Sequence, residues 1–153
     1  MLAVLLLLHL LAAVIWVGGM FFAYVILRPA AAAGLEAPPR LRLWHRVLGS
    51  FFVWVWAAVV LLPATGTAMI FHLFGGFAHS PLYVHVMLML GSLMILIFAH
   101  VYFAPWRHLA RAVAREDWPE GGRRLAQIRR LVAANLGLGL AVIATAGAGR
   151  YLV

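Results

Sequence analysis

Formal charges leave four long stretches of the chain untouched: Leu2 to Leu27, Val47 to Phe71, Pro81 to Trp106 and Leu131 to Gly149. At about 1.5 Å per helical residue, each can cross a hydrocarbon core ~30 Å thick, with tilt where it is longer. The pattern predicts an all-α fold, a four-helix transmembrane bundle, with spans at about 2–27, 47–71, 81–106 and 131–149 of a single membrane domain, 1–153. Ala30-Ala31-Ala32 offers small residues for signal cleavage, but the start lacks basic residues and its apolar run is too long, so the first helix is expected to be retained.

Charge adds the orientation. The 12 basic residues are all Arg; the stretch from Arg28 to Arg46 carries four of them and the stretch from Arg107 to Arg130 seven, whereas the Gly75-Gly76 loop has none. The positive-inside rule places both Arg-rich loops in the cytoplasm and both termini on the outer side of a bacterial-type inner membrane; Arg150 is the one dissenting charge. The net charge of +8 therefore reads as a topology signal, and no nucleic-acid partner is expected. Arg107, Arg111 and Arg115 repeat at helical spacing until Glu116-Asp117-Trp118-Pro119 breaks the run, and the fourth helix is expected to restart near Pro119.

Composition agrees with the membrane: 66% of residues are apolar and 10% charged, far below the quarter usual in soluble domains. With no Cys, thiolate metal sites and iron–sulfur clusters are excluded, so ligands must come from His, Met or carboxylate. Ala133, Gly137, Ala141, Thr145 and Gly149 form a small-residue stripe that invites close helix packing, inside the bundle or in a homo-oligomer. Pro63, followed by Thr65-Gly66-Thr67, is expected to kink the second helix, with hydroxyls bonding the freed backbone groups.

Seven His are the candidate chemistry, because an imidazole in hydrocarbon costs several kcal/mol unless something bonds it. His72, His79 and His108 fall at span ends and read as solvated interface residues. His9 and His85 lie ~10 and ~6 Å inside the same end of parallel helices. His9, Ala12, Ala13, Trp16 and Met20 share one helix face, and His85, Met89, Ser92 and Leu96 share another. Two such imidazoles facing each other can ligate haem b, with Trp16 and Met89 against the macrocycle. His45 and His100 are candidates for a second haem, although their depths match poorly. Two alternatives stand beside haem: each His bonds a neighbour such as Ser92 or Thr65, or copper is held with the thioethers of Met20, Met87, Met89 and Met94.

The stretch from His9 to Gly19, with its Trp16-Val17-Gly18-Gly19, resembles the opening of the CopD family, named for a copper-resistance membrane protein. Arg28-Pro29, Ala64-Thr65-Gly66 and Tyr83-Val84-His85 resemble the small stand-alone members of that family. The same pattern is similar to the related HemJ-type protoporphyrinogen oxidases. That second resemblance implies four helices and haem b on a first-helix His, here His9. Where the HemJ type carries a Lys two residues after the third-helix His, this chain has Met87, so porphyrinogen oxidation is expected to be absent.

The function expected from the sequence is a haem b membrane protein in electron transfer or redox chemistry, with a quinone, an oxygen species or another membrane protein as partner. The alternative is a copper-binding or copper-transport protein of the CopD type; a third class is an assembly subunit whose His are merely hydrogen-bonded. No carboxylate lies within a span, which leaves the enzyme question open.

Overall fold

A computed structural model describes residues 1–151, Arg150 by its backbone alone. Four helices are long and apolar enough to cross a membrane: α1 (Leu2–Gly34), α2 (Ala37–Phe74), α3 (Leu82–Ala114) and α4 (Trp118–Ala148). At 33, 38, 33 and 31 residues they are longer than the uncharged runs, and at 1.5 Å per residue they reach about 46–57 Å. The excess lies at the Arg-rich end, where the expected loops are largely helix. Only Leu35 and Glu36 separate α1 from α2, and Arg107–Ala114 continues α3 as a helix, as the Arg spacing predicts.

Local chemistry sets the ends. Pro38 and Pro39 sit in the first turn of α2, where missing N–H groups cost nothing. Gly75, at φ 72°, closes α2 in the left-handed conformation, its N–H returning to Phe71 O. The Asp117 side chain caps α4 by accepting from Glu120 N at 3.1 Å, with Pro119 in the first turn as expected. α2 continues through Pro63 without a break.

Two π-helical turns, which the sequence patterns did not indicate, interrupt α1 at Phe22–Leu27 and α3 at Tyr102–Trp106. A proline is close to each, Pro29 two residues past the first and Pro105 inside the second, and a missing N–H there removes a bond from the regular ladder. Each is followed by an Arg laid over an aromatic ring: Arg28 over Tyr24 at 4.5 Å and Arg107 over Phe103 at 5.0 Å.

α1 packs chiefly on α2, and α3 chiefly on α4. The pairs join through an aromatic cluster centred on Phe98, which meets the ring edges of Trp16 (6.1 Å), Phe52 (5.4 Å) and Trp56 (5.1 Å). Trp16, expected against a cofactor, is a buried part of this core. The helix-4 stripe packs only in part: Gly137 and Ala141 are exposed, Ala133 and Thr145 half-buried, and the closest approach in mid-helix falls instead at Gly139. A Cβ there would lie 2.8 Å from Val17 Cγ2 and 3.2 Å from Met94 Cε. Gly149, at the foot of the stripe, does pack, against Tyr83.

Candidate functional site

The two stripes expected to face each other point in different directions. Along α1, Ala12, Trp16 and Met20 are buried, so the His9 face does look inward. Along α3 the inward residues are Met94, Phe98 and Val101, whereas Met89 and Leu96 are 63% and 66% exposed and His85 is exposed. In a helix that is apolar all round, the polar and sulfur-bearing face need not be the buried one, because lipid solvates either side. His85 Nδ1 donates to its own helix, to Pro81 O at 3.3 Å.

His9 instead meets α2. Its Nδ1 lies 2.8 Å from Thr65 Oγ1, and Thr65 Oγ1 lies 2.6 Å from Leu61 O. A hydroxyl has one proton, and the short contact to a carbonyl, which can only accept, fixes where it goes. We therefore assign Thr65 as donor to Leu61 O and acceptor from His9 Nδ1–H. That tautomer leaves the lone pair on Nε2, the arrangement by which a second group prepares an imidazole to bind a metal. Gly66 makes room: a Cβ there would stand 3.3 Å from His9 Cε1. Four residues on from Thr65, ~6 Å along the same face, comes the half-buried Met69, followed by the exposed His72 three residues later.

His45 stacks on Trp106, centroids 6.1 Å apart and planes 17° apart, while His100 is exposed. Among the described residues no hydrogen bond or ring contact joins His45 to His100. His72 and His79 are exposed, as expected of interface residues. His108 departs from that expectation: it is half-buried, and its Nδ1, like Trp106 Nε1, is buried without a hydrogen-bond partner among the described residues.

Haem b does not fit between His9 and His85 as they stand. His9 is turned to Thr65, His85 lies on the outward face, and neither lines the cavity beside Asn135 or the one at the Arg-rich end. Soft, low-coordinate metal chemistry fits better. Among the described residues no three His, Asp or Glu side chains gather where a metal could bind, so a closed nitrogen–oxygen site is absent. An imidazole held through Nδ1, with the single Met69 thioether about one turn along the facing helix, is the kind of donor set that suits Cu(I) better than haem.

Two residues escaped the sequence patterns. Met69 was overshadowed by the other methionines, although its i+4 relation to Thr65 was readable. Asn135, the lone amide in the fourth uncharged run, is 3% exposed, and its Oδ1 has no partner among the described residues. It faces Trp16, Met20 and Phe98 across a cavity of about 20 Å³, room for one water.

The model of the CopD family, described as Copper resistance protein D, matches residues 45–148. The match covers more than half of the chain, taking in most of α2, all of α3 and α4, and leaving out α1 with His9. No curated protein and no solved structure matches.

Proposed function

The chain belongs to the CopD family, and from that premise we propose that it handles copper in the membrane, taking Cu(I) as cargo in the half of the bundle that ends at Gly75-Gly76. The observation that carries this reading is the bonding of His9, whose Nδ1 meets Thr65 Oγ1, so that Nε2 is the nitrogen whose lone pair a metal would take. His9 Nε2 and the Met69 thioether are the proposed ligands, and His72 stands at the mouth. Such a site is short of ligands for tight retention, which suits an ion that must leave again. Haem is not part of this reading.

Purified protein titrated with Cu(I) against a coloured competing chelator tests it. Wild type is expected to withdraw copper from the chelator. His9→Ala and Met69→Leu should each weaken that by about tenfold or more, the range seen when a metal's supporting groups are lost. His85→Ala and His100→Ala should leave it unchanged. Equal binding by wild type and His9→Ala would remove the proposed site.

A further inference from the structure

A cavity larger than the one at Asn135 lies at the opposite end from His9. It occupies about 280 Å³ among α1, α2 and α4, with Arg28, Arg40 and Arg129 at its edge and no carboxylate in its lining. The pairing of charges at this end is uneven. Arg42 is paired with Glu116, and Arg123 and Arg124 with Glu120. Among the described residues Arg28, Arg40 and Arg129, like Arg46, Arg107, Arg111, Arg115 and Arg130, have no carboxylate partner, but only these three line the cavity; Arg28 rests on Tyr24, and Arg40 reaches the Leu35 carbonyl at 3.5 Å.

The walls are of the other kind. Trp44 and Trp118 flank the cavity, and its floor reaches Leu48 and Val132. Leu48 and Val132 belong to the uncharged runs of α2 and α4, while Arg28 and Arg129 lie just beyond the runs of α1 and α4 and Arg40 about two turns before that of α2. The cavity therefore straddles the boundary of the hydrocarbon layer, cationic on the water side and apolar on the lipid side.

We propose that this cavity binds an anionic phospholipid, its phosphate between Arg28, Arg40 and Arg129 and the start of its acyl chains against Leu48 and Val132. Guanidinium groups suit phosphate oxygens through paired N–H donors, and a basic pocket between helices at this depth meets headgroups directly. A free phosphate shares the headgroup chemistry but has no use for the apolar floor.

Native mass spectrometry of the detergent-purified chain distinguishes the two. Titrated with phosphatidylglycerol and with phosphatidylcholine of the same chains, wild type is expected to retain one phosphatidylglycerol and to prefer it. The triple variant Arg28→Gln, Arg40→Gln, Arg129→Gln should bind it about tenfold more weakly, whereas Arg111→Gln, Arg115→Gln, Arg130→Gln, equal in charge lost but outside the cavity, should match wild type. Ala126→Phe, which fills the cavity and keeps every charge, should also lose the lipid, so the test stands even if the triple variant misfolds. Equal loss in the control triple, equal retention of phosphatidylcholine, or full binding by Ala126→Phe would overturn the site. Displacement of the lipid by an equal concentration of glycerol phosphate would overturn the lipid as occupant.

Discussion

At Thr65 a single hydroxyl proton decides the state of a histidine on another helix. The 2.6 Å contact with Leu61 O consumes the proton, and the 2.8 Å contact with His9 Nδ1 then requires the imidazole to donate. Removing the hydroxyl while keeping the shape, as in Thr65→Val, releases the ring to turn and to exchange tautomers. Copper affinity is expected to fall by about 10–100-fold, the usual effect of losing a group that orients a metal-binding His, and Thr65→Ser should recover most of it. Competition with a Cu(I) chelator measures both. A Thr65→Val protein with wild-type affinity would mean that Thr65 serves packing alone. The presence of a partner for His9 was legible from its cost in hydrocarbon, and Thr65 stood among the candidates. The choice of Thr65 over His85 was not, because it depends on which helix lies beside α1.

The same limit governs the elements. Four spans were legible because charge is excluded from hydrocarbon, and the end of α4 at Trp118-Pro119 because its capping residues are local. Helix faces were not: Met89 and Leu96 look as suitable for a core as Met94 and Phe98, yet the former pair is exposed and the latter buried. On α4 the small residues at Gly137 and Gly139 are equally visible in sequence, and only the neighbours separate them. Nothing lies within 4 Å of a Cβ at Gly137, whereas one at Gly139 meets Val17 and Met94. Helix propensity is the same at both, so comparing Gly139→Ala with Gly137→Ala isolates packing. Gly139→Ala is expected to be the less stable of the two by ~1–3 kcal/mol, the cost of overfilling a packed contact. Reversible unfolding in mixed micelles checks this, and equal stabilities would mean that α1 and α3 give way freely there.

For the whole molecule, the pairing of α1 with α2 and of α3 with α4 places His9 and His85 on different pairs, His85 looking outward. Protein purified after expression with ample haem is accordingly expected to show no Soret band. A low-spin spectrum lost in both His9→Ala and His85→Ala would restore haem b and require the helices to rearrange. Orientation is a separate question, because a bundle has the same internal packing either way up in the bilayer. The expectation for it comes from Arg asymmetry: the short turns at Leu35-Glu36 and at Arg115–Asp117 join helix ends rich in Arg, while the Gly75-Gly76 loop and the start of α1 carry no charged side chain. Moving so many guanidinium groups across the hydrocarbon during insertion opposes the reverse topology. A reporter active only in the cytoplasm should therefore work when inserted at Glu116 and fail at Gly76, and a reporter active only outside should do the opposite. The outcome also bears on both sites. With Arg28, Arg40 and Arg129 at the cytoplasmic leaflet, the proposed lipid cavity faces the leaflet whose surface is commonly anionic, and His9 then meets copper arriving from outside. The inverted pattern would turn His9, Met69 and His72 toward the cytoplasm and make the copper path one of export.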